Sequence, residues 1–424
     1  MAAELQIRLV TKQPEYAIPD SVFSVPGSVS VKELNTLVNS VLKGTEPQNY
    51  REEEFDFLLL GELLRLPILE HLAVKNCSTE EVLEIEYFVK YPSPSPENSL
   101  IHDDWVSSVN TMGKWILSGC YDNTVHIWTV EGDHKLTIPG HSAPVKSVAW
   151  LKNGEAVSSF VSASHDETAM LWQWNHHTNA VECIHVCKGH ARSVDCVSVS
   201  PATNRFATGS YDQMLKIWSA DEESENAGGD DDKKRFKSDN MKTKVKTPLM
   251  TLSGHTDGIS GVQWIDTNEV STCGLDCTLR IWDVELGGLK SQLNGSKAFL
   301  GIAYSPISRL IISGSSDRHI RLWDPRAKDG TLVKSVYSSH KLWVTSVAWS
   351  PVSEHQFVSG SMDCLTKLWD IRSPKAPLFD ISGHEDKIFA VDWSVKDYIV
   401  SGGADNYIKL YKFKDEAEQN AMEN

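Results

Sequence analysis

The chain has 424 residues, 41% of them hydrophobic and 23% charged, the composition of a soluble globular protein with room for more than one core. A formal net charge of −16 repels nucleic acid and anionic membrane, so either role needs a local basic patch. The opening M-A-A-E-L-Q-I-R-L-V lacks an apolar leader core, the most apolar run is broken by Glu62 and Arg65, and the eight cysteines lack disulfide-framework spacing. The expectation is free thiols in a reducing compartment.

Residues 4–90 carry no repeat. They predict a strand (L-Q-I-R-L-V-T), a strand (V-F-S-V), a helix (V-K-E-L-N-T-L-V-N-S-V-L), a strand (F-D-F-L-L-L), a turn at Gly61, a short strand (L-L-R-L) and a last strand. In the helix Leu34, Leu37, Val38, Val41 and Leu42 form a core-facing stripe, and Lys43-Gly44 is expected to end it. Before the last strand, Ser78-x-x-Glu81 imitates a helix capping box, but Leu83, Ile85 and Tyr87 alternate with Glu84 and Glu86. Strand periodicity wins, and Glu80 and Glu81 are left in the turn before it. Residues 91–96, within Y-P-S-P-S-P, read as a stiff proline linker.

Residues 97–414 hold seven copies of one unit. Asp122, Asp166, Asp212, Asp276, Asp317, Asp363 and Asp405 are each followed six residues on by Trp128, Trp172, Trp218, Trp282, Trp323, Trp369 and Tyr411. Four residues before each stands Ser118, Ser162, Thr208, Thr272, Ser313, Ser359 or Ser401; further upstream stand His102, His141, His190, His255, His340 and His384. Spacings of 44, 46, 64, 41, 46 and 42 residues resemble WD40 repeats, one four-stranded blade each. The fold class is therefore mainly β: a seven-bladed WD40 propeller behind a small α+β domain. The last repeat lacks an outer strand, and residues 97–101 are expected to supply it. Serine, histidine and aspartate could suggest a hydrolase, but a set recurring in five complete copies (blades one, two, three, four and six) is a structural tetrad, a hydrogen-bonded chain. Blade five, with Ser296 at the histidine place, and blade seven, with Tyr411, should be softer.

The 64-residue spacing hides an insert at about 220–247, acidic then basic, expected to be disordered. Lys233, Lys234, Arg235 and Lys237, with Lys242, Lys244 and Lys246, suit nuclear localisation or an RNA phosphate contact. Residues 415–424 form an acidic tail. Loop positions before the repeat aspartates and three residues after the histidines should ring one mouth of the channel. They include Trp105, Tyr121, Tyr211, Phe299 and Trp343, the composition of a protein interface. Cys183 and Cys187 lie about 13 Å apart along a strand, too far to share a zinc. The chain is expected to hold no metal or cofactor of its own, and no phosphate loop or nucleophile elbow points to an enzyme.

F-D-F-L-L-L-G-E-L-L-R, S-T-E-E-V-L-E-I-E-Y, D-D-W-V-S-S-V and H-E-D-K-I-F-A-V-D-W resemble the Notchless-type ribosome-assembly factors, a ubiquitin-like domain before a WD propeller. The resemblance implies a nuclear scaffold, nucleolar and nucleoplasmic, for large-subunit (60S) precursors. It implies that the propeller binds the Block-of-proliferation WD protein, in a complex with Pescadillo. It also implies that the ubiquitin-like domain presents a glutamate to a divalent ion held by the midasin ATPase, which strips the factor from the particle. That glutamate maps onto Glu80, or onto Glu81 beside it. Two W-D-x-R motifs, at Trp323–Arg326 and Trp369–Arg372, instead resemble substrate receptors of cullin-type ubiquitin ligases.

Overall fold

Alternation at the N-terminus buries Leu5, Ile7 and Leu9 on one face of β1 (Glu4–Val10). β1 pairs antiparallel with β2 (Val22–Pro26) and parallel with β5 (Leu83–Val89); β5 pairs with β3 (Phe55–Leu59), and β3 with β4 (Glu62–Leu63). The sheet order β2-β1-β5-β3-β4 is that of the ubiquitin roll. Across it lies α1 (Val31–Thr45), whose Leu34, Val38 and Leu42 enter the core. Half of a capping box starts the helix: Glu33 Oε2 accepts from the Ser30 backbone N–H at 2.7 Å and from Ser30 Oγ at 3.1 Å. Gly44 lies inside α1 rather than ending it. A second helix, α2 (Ile68–Lys75), was not expected; its Ile68 and Leu72 are buried in the same core. Its eight residues, opened by Pro67, are too few for a clear apolar period.

The computed structural model describes residues 4–45, 52–75, 82–221, 244–326 and 333–413, in two units, Met1–Ser93 and Pro94–Asn424. The second unit is seven antiparallel sheets. Blade one runs Val106–Met112, Trp115–Cys120, Val125–Thr129, His134–Ile138 from inner to outer strand. Apolar side chains from successive blades interleave: Trp150 of blade two packs with Leu117 and Ile127 of blade one.

Ring closure differs in extent from the sequence reading. β6 (Pro94–Ile101) pairs with Tyr407–Phe413 from Tyr407↔Ile101 to Phe413↔Pro94. The supposed linker 91–96 is therefore strand from Pro94 onward. An outermost strand tolerates Pro94 and Pro96, because its outward groups need no ladder partner. Buried Asp392 of blade seven ties the same seam from the inside, accepting from the Thr111 backbone N–H at 2.7 Å and from the Thr111 and Ser394 hydroxyls.

Four tetrads are complete. In blade two Trp172 Nε1 donates to Ser162 Oγ at 2.8 Å, Ser162 meets His141 Nε2 at 2.7 Å, and His141 Nδ1 meets Asp166 at 2.8 Å. The same chain links Trp218, Thr208, His190 and Asp212; Trp282, Thr272, His255 and Asp276; and Trp369, Ser359, His340 and Asp363. Burial raises the aspartates, but bonds from histidine and backbone outweigh it and hold Asp166, Asp212 and Asp363 at about 2. Blade one is not a fifth copy. Ser118 and Trp128 both reach His102 Nε2, at 2.9 and 3.3 Å, while Asp122 turns to Thr124.

Blade five corrects the register. The first residues of the inner strands, Val106, Val145, Val194, Ile259, Phe299, Val344 and Ile388, hold equivalent places in their ladders. Each stands four residues after its histidine, so the empty histidine place is Gly295, not Ser296. A Cβ on Gly295 would lie 2.4 Å from Phe299 Cζ, so the phenyl ring fills the vacated space and packs edge-on to Trp323 at 5.8 Å. Asp317, without the repeat histidine, is clamped by the Arg321 guanidinium, with His319 Nδ1 3.4 Å away. The insert also contributes a strand: Lys244–Lys246 pairs parallel with Ala180–Lys188 of blade two, and Lys246 is buried with Nζ on the Asp221 carbonyl at 2.6 Å. Lys246 is therefore a structural cation, not part of a free basic cluster.

Candidate functional site

In each blade a tight turn joins the second strand to the third, and its first residue donates a backbone N–H to the residue just before the inner strand. Tyr121 N–H reaches the Trp105 carbonyl, Tyr211 that of Ser193 and Met362 that of Trp343, each at 2.9 Å. These bonds place both sets of loop residues on one mouth of the channel. In blade five the equivalent bond runs from Ser316 to Ala298. Ala298, not Phe299, is the mouth residue there, and Phe299 is fully buried. Spacing counted from Ser296 had placed it one residue too far along.

Trp105, Tyr211 and Trp343 are 42, 43 and 49% exposed, too much for core aromatics of this size. Trp105 and Tyr121 meet edge-on with ring centroids 5.4 Å apart. Phe389 of blade seven joins them, 5.7 Å from Trp105 and stacked on Tyr121 at 6.5 Å. Lys146 closes the cluster with Nζ 2.8 Å from the Tyr121 hydroxyl. The result is an aromatic platform across blades seven, one and two. Tyr211 stands apart, with Arg192 5.9 Å from its ring and Gly258 beneath it; a Cβ there would be 2.8 Å from the ring. Trp343 stands beside exposed Leu342 in blade six. The mouth opens into a cavity of about 960 Å³ lined by Lys146, His165, Asp195, Tyr211, Trp343 and Phe389, among others. Such a face buries well against another protein: rigid aromatic anchors among polar groups.

The sequence reading missed Phe389 and Lys146. Both occupy the second residue of an inner strand, as does Asp195, and that register position was the signal to read. Glu80, Glu81, Lys233, Lys234, Arg235, Lys237 and the acidic tail lie outside the described residues. The tetrad hydroxyls of Ser162, Thr208, Thr272, Ser359 and Ser401 are fully buried, so no substrate reaches them. In the W-D-x-R turns Arg326 and Arg372 fold back onto Asp324 and Asp370, with Nε to Oδ1 distances of 2.9 Å, and act as turn clamps. Burial raises the Cys183 and Cys187 thiols to about 11 and about 12, and both are free.

Comparison with known proteins agrees with both units. The NLE (NUC135) domain family matches residues 5–72, and the WD domain, G-beta repeat family matches seven segments between 95 and 412. A protein of Ixodes scapularis named ribosome biogenesis protein WDR12 homolog is 56% identical over 421 residues, covering 97% of this chain and 99% of its own. Proteins of the same name from Culex quinquefasciatus and Aedes aegypti are 50 and 49% identical, each over 97% of this chain and 96% of their own.

Proposed function

The chain belongs to the WDR12 family of ribosome biogenesis proteins, and on that premise we propose that its two units divide the work of a non-enzymatic assembly scaffold. It acts in ribosome biogenesis. The propeller mouth docks a second WD protein, the Block-of-proliferation subunit, within a complex that includes Pescadillo. That complex serves maturation of large-subunit precursors and their rRNA in the nucleolus and nucleoplasm. The observation that carries this reading is the Trp105–Tyr121–Phe389 platform with Trp343 exposed on the same mouth. Nothing inside the propeller needs those rings to face solvent, and together they form the anchor set of an interface.

The ubiquitin-like unit docks midasin. Its last strand opens at Leu83, three residues after Glu80 in the sequence, and a glutamate carboxylate is a hard oxygen ligand that can complete a partner's divalent-ion shell. Two variants separate the modules. Trp105→Ala with Trp343→Ala should abolish co-purification of the Block-of-proliferation and Pescadillo proteins. Glu80→Ala should leave that co-purification intact while trapping the factor on pre-60S particles. Normal midasin binding by Glu80→Ala moves the assignment to Glu81 or refutes it; recovery of a cullin adaptor in place of the two partners refutes the scaffold reading.

A further inference from the structure

Blade one departs from its sisters at two positions besides the tetrad. Ser164, Ser210, Ser315 and Ser361 face the first inner-strand residue in blades two, three, five and six; in blade one Cys120 does. Lys216, Arg280, Arg321 and Lys367 face the tetrad hydroxyl in blades three to six; in blade one His126 does, opposite Ser118. These replacements bring metal-ligating atoms together. Cys120 Sγ, a carboxylate oxygen of Asp122 and a ring nitrogen of His126 lie within 4.8 Å of one another, and His126 Nε2 is 3.5 Å from Asp122 Oδ2.

His102 supplies the independent observation. It is 5% exposed, and its buried Nδ1 makes no hydrogen bond of good geometry, although the Leu100 backbone acts on the ring. In the four complete blades that atom is satisfied by the repeat aspartate; here the His102 ring lies edge-on to His126 with centroids 4.7 Å apart. An orphaned buried imidazole nitrogen costs on the order of 1–3 kcal/mol unless something binds it.

We propose that Cys120, Asp122, His126 and His102 form a zinc site in blade one. One thiolate, one carboxylate and two imidazoles make a tetrahedral donor set suited to Zn²⁺, and their two negative charges neutralise the ion in a buried setting. The thiol passes its proton to solvent as the sulfur–zinc bond forms. Zinc binding rearranges part of the existing network: His102 binds through Nδ1 with its proton on Nε2, which then donates to Ser118 at 2.9 Å while Trp128 gives up its 3.3 Å bond to that nitrogen, and His126 Nε2 exchanges its 2.8 Å contact with Thr124 Oγ1 for the ion. His126 Nδ1 keeps its partners, Thr137 at 3.2 Å and His134 at 3.3 Å. Asp122 Oδ1 accepts from Thr124 Oγ1 at 2.6 Å, which leaves its second oxygen for the ion. Tetrahedral ligands sit about 3.3–3.7 Å apart around zinc, so the Cys120, Asp122 and His126 atoms, within 4.8 Å of one another, must close by up to about 1 Å, and the His102 ring must turn to join them.

The repeat itself provides the test variants. Cys120→Ser and His126→Lys restore what sister blades carry at the same places, so each removes one ligand without challenging the fold. Full-length protein is stripped with chelator, loaded with zinc, gel-filtered and assayed by elemental mass spectrometry; cobalt loading is followed by the sulfur-to-cobalt charge-transfer band. Wild type should keep one zinc and show the band. Each variant should bind at least about a hundredfold more weakly, lose the band with Cys120→Ser, and melt like chelated wild type. No uptake by wild type, or uptake unchanged in either variant, overturns the site.

Discussion

Phe299→Ala distinguishes a mouth residue from a core residue. The ring is fully buried, packs on Trp323 at 5.8 Å and fills the space that histidine occupies elsewhere. Deleting a buried phenyl costs about 3–5 kcal/mol when the site cannot collapse. Collapse is opposed here by the Gly295 backbone on one side and the Trp323 indole on the other. At roughly 2 °C per kcal/mol for a domain of this size, melting should fall by about 6–10 °C. Partner affinity measured well below the melt should change less than about twofold, because the ring does not reach the mouth. Gly295→Ala tests the same reasoning from the other side. Its Cβ would stand 2.4 Å from Phe299 Cζ, so it overpacks alone but partly refills the cavity in the double variant. Differential scanning calorimetry of the four proteins forms a cycle. Additive losses would refute the claim that the ring fills the histidine place, and a melting change under about 1 °C with lost partner binding would return Phe299 to the interface.

At the mouth, Trp105→Ala or Trp343→Ala alone should weaken partner binding by about 2 kcal/mol, near thirtyfold, with melting unchanged; isothermal titration checks this, and loss of stability instead would make them core residues. Asp392→Ala leaves the Thr111 N–H and two hydroxyls unsatisfied at the ring seam, so unfolding in urea should show a loss of about 3 kcal/mol, and a neutral result would mean the seam is held by β6 alone. Acid stability has a defined window. Asp166, Asp212, Asp317 and Asp363 are held at about 2 against an ordinary 3.8, so their stabilisation, on the order of 2 kcal/mol each, is complete above pH 4 and lost as pH falls from about 4 to 2. Tryptophan fluorescence on acid titration should place the transition there, with a shallower pH dependence in Asp166→Asn; a parallel curve would show that His141 does not hold that carboxylate down.

How much was legible follows from what repeats. Aspartate and tryptophan six residues apart, seven times over, specify blades whose strands the ladders then show. The alternation of Leu83, Ile85 and Tyr87 specified β5 against a false capping motif. Pro94 and Pro96 misled because proline reads as linker where an edge strand tolerates it. α2 was invisible because two turns carry little period. Phe299 was misplaced because a missing histidine removes the only local marker of register; only the pairing of Phe299 with Ser315 restores it. Phe389 and Lys146 went unseen because their exposure depends on which face of an inner strand meets the channel.

Three blades break the tetrad, and the contrast between blades five and one separates repair from opportunity; blade seven puts Tyr411 in the tryptophan place. Blade five loses its histidine, and each orphan finds a substitute: Phe299 fills the space, and Arg321 takes the aspartate. No donor or acceptor of that tetrad is stranded, since Trp323 still reaches Ser313 at 2.7 Å. Blade one keeps all four residues, yet leaves His102 Nδ1 stranded beside a second histidine and a cysteine where sister blades use cations and serines. Blade five shows that a blade can do without the histidine, with Gly295 in its place. A histidine nitrogen buried and unpaired, with ligating side chains gathered around the ring, is the pattern expected of a site that binds something.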